Sequence, residues 1–105
     1  MRRGEVWFAE TGRGGDRPVL VLTRDPVAGH IDSVVVAQLT TRVRGLTSEL
    51  ALTTADDGVP TDCVASFDNI VTLPSMSLRR YVTTVSAGRM IQACDVLNAA
   101  LGCSG

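Results

Sequence analysis

The sequence predicts a mainly β protein with one C-terminal helix, built on a small, strongly curved antiparallel sheet or barrel. Three observations carry that expectation. Short apolar and β-branched segments recur up to Val85 with turn-forming residues between them. After Ser86 the hydrophobic period changes from strand-like to three-or-four spacing. The chain has 105 residues, 45% hydrophobic and 20% charged, which suffices for one core and leaves no room for a second. A single domain over residues 1–105 is expected, and at this size neither disulfide nor structural metal is needed to stabilise it.

Each element follows from local composition. Glu5-Val6-Trp7-Phe8-Ala9 is short and aromatic and reads as a first strand, in which Trp7 and Phe8 face opposite sides and are expected in the core or a dimer contact. Thr11-Gly12-Arg13-Gly14-Gly15-Asp16 follows as a loop whose glycines permit backbone angles closed to other residues. Val19 to Thr23 is nearly all apolar, a strand of the sheet interior, with Pro18 at its entrance where a missing N–H costs little. Asp25-Pro26 and Ala28-Gly29 mark a turn, and Ser33 to Thr40 is a third strand because three consecutive valines disfavour helix. Glu49 to Thr53 alternates as a half-exposed strand, and Asp56 to Pro60 reads as a turn. Asp62 to Phe67 and Asn69 to Pro74 read as two strands, Ser75 to Leu78 as a helical turn, and Tyr81 to Val85 as the last strand. Ser86 is a suitable N-cap, Ile91, Cys94, Leu97, Ala100 and Leu101 form an apolar stripe, and Gly102 is a stop signal, giving a helix of about four turns.

Charge and motif content exclude several function classes. Ten basic residues, all arginine, nearly cancel eleven acidic ones, so any nucleic-acid site must be local rather than a bulk field. Glu5 and Glu10 interrupt any secretory apolar run after Met1-Arg2-Arg3, and no stretch approaches the roughly 20 apolar residues of a membrane span, so a cytoplasmic protein without membrane contact is expected. Cys63, Cys94 and Cys103 are widely spaced and lack a Cys-x-x-Cys pair, which predicts reduced thiols. His30 is the sole histidine, in a turn, and has no zinc-site spacing around it. No Lys-Ser or Lys-Thr follows the glycines of residues 12–15, which removes the phosphate-loop reading. Asp56 and Asp57 are adjacent and would diverge on a strand, a poor start for a two-metal site. Neither a metal nor a cofactor is expected.

What remains is an arginine and hydroxyl arrangement. Arg17 precedes the apolar strand at Pro18, and Thr40 and Thr41 end the valine-rich strand before Arg42 and Arg44. If these strands are antiparallel neighbours, Arg17 and Thr40 meet at one sheet edge. A guanidinium can grip phosphate through two hydrogen bonds and stabilise developing charge, while a threonine hydroxyl can orient a nonbridging oxygen. On spacing alone, the simpler reading of the same residues is a surface arginine beside a β-forming threonine.

Met1-Arg2-Arg3-Gly4-Glu5-Val6-Trp7, Gly15-Asp16-Arg17-Pro18-Val19-Leu20-Val21-Leu22 and Val34-Val35-Val36-Ala37-Gln38-Leu39-Thr40, in this order and followed by Asp68-Asn69-Ile70-Val71-Thr72-Leu73, resemble the MazF/PemK family of toxin endoribonucleases. The resemblance covers nearly the whole chain and implies an SH3-like (PemK/CcdB-like) barrel and a homodimer. It also implies metal-independent, sequence-selective cutting of single-stranded RNA (mRNA, with tRNA and rRNA as further candidates), held in check by a cognate antitoxin. On this resemblance Arg17 and Thr40 match the family's catalytic Arg and Thr, and Thr41 competes for the latter role. Relatives generally carry a longer first loop containing Ser-Glu-Gln. Here Thr11 to Asp16 is shorter and has no carboxylate or histidine before Gly14, so a general base from that loop is not supported.

The implied reaction is attack of the RNA 2′-hydroxyl on the adjacent phosphorus, leaving a 2′,3′-cyclic phosphate and a 5′-hydroxyl. Glu10 or Asp16 are candidates to orient Arg17. Gly12, Arg13, Gly14, Gly15, Arg24, Arg42, Arg44, Arg79, Arg80 and Tyr81 are candidate RNA contacts, since arginine can hold phosphate and stack on a base. The competing reading is a catalytically inactive SH3-like binding module or a gyrase-directed toxin, because one barrel can carry different functions.

Overall fold

The computed structural model describes residues 2–12, 14–24 and 32–103. Arg13 and the Asp25-Pro26 to Ala28-Gly29 turn with His30 lie outside the described residues. The elements in order are β1 (Glu5–Glu10), β2 (Asp16–Val21), β3 (Ser33–Thr40), β4 (Glu49–Leu52), a helical turn α1 (Thr54–Asp57), β5 (Cys63–Pro74), a 3-10 turn (Ser75–Ser77), β6 (Leu78–Thr84) and α2 (Ala87–Leu101). The strands form one six-stranded sheet in the order β4-β5-β3-β2-β1-β6. Every pairing is antiparallel. The sheet curls into a half-barrel of the SH3-like type, and β2 and β3 lie in its interior as their apolar runs require.

Two cores lie against opposite faces of this sheet, as strand alternation dictates. Val6, Leu20, Ala37, Leu39, Leu50, Leu52, Ala65 and Phe67 pack with Met90 and Ala93 of α2. Ala9, Val19, Val21, Val34, Val36 and Leu73 form the second cluster, with Trp7 against it. The strand β5 serves both, through Ala65 and Phe67 on one side and Leu73 on the other.

Four sequence expectations are corrected. Asp62 to Phe67 and Asn69 to Pro74 are not separate strands but the continuous β5. Its pairing with β3 jumps from Ala37↔Ile70 to Gln38↔Ser66, so Phe67, Asp68 and Asn69 have no partner on β3 and form a bulge. Asp68, the residue left between the two expected strands, lies at the centre of that bulge, which also takes in Asn69 from the expected second strand. Pro18 is the third residue of β2 rather than its entrance. It is tolerated because β2 pairs with β1 at Pro18 and with β3 only from Val19 onward.

The third correction concerns α2. Its caps are as the sequence predicts, Ser86 Oγ accepting from Arg89 N–H and Gly102 closing the end in the left-handed conformation. The buried face, however, carries Met90 and Ala93, with Val96, Leu97 and Ala100 packed beside them. Ile91 and Leu101 are about two-thirds exposed, and Cys94 is exposed. The expected stripe is therefore out of phase at most of its positions, because close packing selects the small Ala93 and the flexible Met90 over the branched Ile91. The residues Asp56 and Asp57, expected in a plain turn, belong to α1, where Thr53 Oγ1 caps Asp56 N–H and Gly58 ends the turn. Asp57 is buried against α2 and takes two bonds from Arg89, at 2.9 and 3.1 Å.

Candidate active site

A groove of about 590 Å³ opens where β2 and β3 separate. Their ladder ends at Val19↔Gln38. Continuing that register by two steps brings Arg17 level with Thr40 on the same face of the sheet, by strand alternation. Both residues line the groove, together with Thr41, Arg42 and Arg44 from the end of β3 onward. The fork supplies a place where a ligand can sit between two strand ends without interrupting a ladder.

Arg17 is exposed, and among the described residues it has no ion-pair or hydrogen-bond partner, so its guanidinium is available to a ligand. The hydroxyl of Thr40 is already fixed on one side: Oγ1 accepts the Arg42 N–H at 3.1 Å. That bond uses a lone pair and leaves the hydroxyl proton to be donated, the polarity needed to hold a phosphate oxygen. Strand pairing positions the oxygen and the backbone bond restricts it, so it is pre-organised rather than loosely displayed.

The two carboxylates considered as partners of Arg17 are occupied elsewhere. Glu10 Oε1 accepts Gly12 N–H at 2.7 Å, closing the glycine loop on itself. Asp16 faces Arg79, 3.4 Å from its Nε. The physical reason is alternation, since Asp16 and Arg17 are consecutive in β2 and point to opposite sides. Gly12, Gly14 and Gly15 adopt left-handed backbone angles in the β1 to β2 hairpin and do not line the groove. Arg24 lies beyond the far end of β2 from Arg17 and is likewise not part of it.

The β6 residues divide between the two faces of β1. Phe8 lines the groove, and the Arg80 guanidinium sits over its ring, 4.4 Å from the centroid. Of the two places expected for Phe8, the core or a dimer contact, the core is thus not the one it takes, and Arg80 is a neighbour of the groove. Trp7 and Tyr81 meet edge-on at 5.8 Å on the other face, where Tyr81 also shares a hydrogen bond with Thr84. Arg79 is engaged with Asp16.

Several groove residues escaped sequence reasoning. Gln38 lies on β3 two residues before Thr40, opposite Val19 of β2, and Ser66, Asp68 and Asn69 come from β5 at and beside its bulge. Asp68 accepts the Ser48 hydroxyl, and Asn69 Nδ2 donates to Ser66 Oγ at 3.4 Å. Glu49, at the start of β4, holds Arg44 and Leu46 through their backbone N–H groups. Cys63 is half-buried at the groove; burial pushes its thiol above the ordinary range, and the charges of Asp57 and Asp62 push it further the same way. The bulge residues could have been suspected from the polar interruption of an otherwise apolar strand, but its long-range partner could not. Among the described residues no group of three His, Cys, Asp or Glu is placed to hold a metal ion, and no helix is long and apolar enough to cross a membrane.

The arrangement therefore offers a guanidinium without a partner among the described residues, a hydroxyl donor and two further arginines along an open groove, a set suited to binding and polarising a phosphodiester. Residues 2–101 match the family described as PemK-like, MazF-like toxin of type II toxin-antitoxin system. The chain is 59% identical over 103 residues to the Mycobacterium tuberculosis protein called "Probable endoribonuclease MazF2", an alignment that spans 98% of this chain and all of the relative. It is 34% identical over 102 residues to "Probable endoribonuclease MazF5" of the same organism, with 97% and 94% covered. The solved structure of Mycobacterium tuberculosis toxin MazF-mt6 is similar with a TM-score of 0.84 and 33% identity over 93% of this chain and 96% of that one. A mycobacterial endoribonuclease solved in complex with its cognate antitoxin is similar with a TM-score of 0.85 and 30% identity, over 97% of this chain and 95% of that one.

Proposed function

The chain belongs to the PemK-like, MazF-like family of type II toxins, and from that premise we propose that it is a sequence-selective endoribonuclease toxin, one toxin domain over residues 1–105, that cleaves single-stranded RNA without a metal cofactor. The observation that carries this reading is that Arg17 and Thr40 line one open groove, each two residues beyond the last β2–β3 pair, Val19↔Gln38.

The chemistry follows from what these side chains can do. The 2′-hydroxyl of the RNA attacks the adjacent phosphorus, the P–O5′ bond breaks, and the products are a 2′,3′-cyclic phosphate and a 5′-hydroxyl. Negative charge grows on the nonbridging oxygens during attack. Arg17 meets it with a planar, permanently charged fork, and Thr40 donates its hydroxyl proton to a second oxygen. Arginine is too weak an acid to serve as a simple general base, so its role is charge stabilisation and orientation. Arg42 and Arg44 extend the positive wall along the strand, and the Arg80 and Phe8 pair offers a surface on which a base can stack. Tyr81, Arg79, Arg24, Gly12, Gly14 and Gly15 lie outside the groove of this protomer. The toxin acts as a homodimer checked by a cognate antitoxin, whose acidic tail occupies the groove, buries apolar anchors there and masks Arg17, Arg42 or Arg44.

The test is cleavage of a complex RNA pool in excess EDTA at fixed ionic strength, with sequencing of the new 5′ ends. Products bearing 5′-hydroxyl groups at a short common sequence are expected. A single 2′-deoxy substitution 5′ of the cut phosphate should abolish cleavage there, while the same change two nucleotides away leaves it in place. Products with 5′-phosphates, or activity restored only by one divalent ion, would overturn the mechanism. Intact RNA throughout would favour the non-enzymatic binding module.

A further inference from the structure

Glu49 stands in the groove wall without being part of the arginine and hydroxyl arrangement. It opens β4, and its carboxylate turns back onto the connection that leads there. Arg44 N–H lies 3.1 Å from Oε1 and 3.2 Å from Oε2, and Leu46 N–H donates to Oε1 at 3.2 Å. Glu49 returns a bond through its own N–H, which donates to the Leu46 carbonyl oxygen at 3.1 Å. Between the two donors, Gly45 has a φ of 71°, in the left-handed region that lets neighbouring amides converge on one anion. At the other end of the connection Thr40 Oγ1 holds Arg42 N–H.

Little else fixes this segment among the described residues. Residues 41–46 belong to no helix or strand and all are exposed, so no core contact orders them. Ordering backbone costs roughly 1–2 kcal/mol per residue, so the bonds at its ends decide whether Arg42 and Arg44 stay along the groove or leave it.

We propose that Glu49 is a positioning residue for RNA binding: its carboxylate fills the anion nest at residues 44–46 and thereby holds the arginine-bearing segment against the groove. This role rests on the ribonuclease reading and has a consequence opposite to that of simple electrostatics. A carboxylate beside phosphate-binding arginines repels RNA, so its removal should tighten binding if charge alone mattered. If the clamp matters more, deletion of the side chain loosens binding although it makes the groove more positive.

Two substitutions separate charge from clamp. Glu49→Gln and Glu49→Ala remove the same charge, but glutamine keeps the chain length and one acceptor oxygen for the amides. The measurements are KM and kcat for the mapped RNA, and Kd for an oligonucleotide made uncleavable by 2′-deoxy substitution at the cut, as a function of salt. Glu49→Gln should bind within about twofold of wild type or more tightly. Glu49→Ala should raise KM and Kd about tenfold with kcat within about twofold, the signature of lost uniform binding. Its salt slope should flatten by about 0.7 for each phosphate that the displaced arginines no longer neutralise.

Gly45→Ala is the second probe. The added Cβ meets nothing within 4 Å, yet a φ of 71° strains any residue with a side chain, so the segment is disturbed while Glu49, β4 and the net charge are unchanged. The same KM-type loss is expected. Glu49→Ala binding RNA as tightly as Glu49→Gln would overturn the proposal, as would losses in kcat that merely track a lower Tm. If wild type cuts no RNA, the ribonuclease reading fails, and the salt-dependent Kd values of the same variants for an unmodified single-stranded RNA still decide the clamp.

Discussion

Replacing Arg17 by alanine should separate catalysis from folding. The side chain is exposed and lacks a partner among the described residues. Its removal breaks no ion pair and opens no cavity, so stability should change by no more than about 0.5 kcal/mol. For a chain of this size that is a Tm shift of roughly 2–4 °C at most. The effect on the transition state should be much larger. Loss of one pre-organised charge-stabilising donor costs about 2.7–4 kcal/mol in comparable sites, or roughly 100- to 1000-fold in kcat. Arg17→Lys keeps the charge but not the two-pronged geometry, and should fall between wild type and alanine. Single-turnover cleavage of a mapped RNA at saturating protein, with thermal unfolding of each variant beside it, makes the measurement. A folded Arg17→Ala protein with kcat within tenfold of wild type would refute the assignment. Thr40→Val preserves shape while removing the hydroxyl that also receives Arg42 N–H. It should lower kcat and raise KM together, whereas a Thr41 variant alone doing so would move the role one residue along the strand.

Two further predictions concern residues outside the proposed phosphate site. Arg89→Ala strips the guanidinium from Asp57, whose side chain is 2% exposed, and should cost about 3 kcal/mol by leaving a buried charge. The expected fall in Tm is more than about 10 °C, and calorimetry showing a cost of less than about 1 kcal/mol would contradict the reading of this pair as the tie between α1 and α2. Cys63 gives the pH dependence. Because the fold favours its neutral thiol, the contribution to stability is present at neutral pH and is lost as pH rises beyond roughly 8.5 and through the raised folded value. Cys63→Ala should lose less stability between pH 7 and 10 than wild type; equal denaturant-midpoint shifts in the two proteins would count against it.

Legibility in the sequence tracks how local each cause is. The valine run fixes β3 at Ser33–Thr40, and the caps Ser86 and Gly102 bound α2, since each depends on a few adjacent residues. The burial phase of α2 depends on what the sheet presents to it, which is why Met90 and Ala93 face inward while Ile91 does not. Arg17 and Thr40 could be brought to one edge by assuming antiparallel neighbours, and β2 and β3 are such neighbours. Asp16 and Glu10 could not be placed without the hairpin register, which sends Asp16 toward Arg79 and Glu10 onto Gly12. Glu49, Gln38 and Asp68 reach the groove through pairings between distant strands, and no local pattern announces them.

The bulge in β5 also bears on how such a protein can change over evolutionary time. Phe67 is anchored inward, with its N–H on the Ser48 carbonyl, while Asp68 and Asn69 face the groove from residues that owe no bond to β3. Ladders on either side are separately pinned, by Ser66 and its predecessors on one flank and by Ile70 and its successors on the other. A substitution or a one-residue length change between them requires only that a short arch close again; it does not slip the long strand and turn its apolar side chains outward. The wall of the groove is thus a replaceable insert in a fixed frame, so the molecule can explore new ligand contacts there without renegotiating its fold.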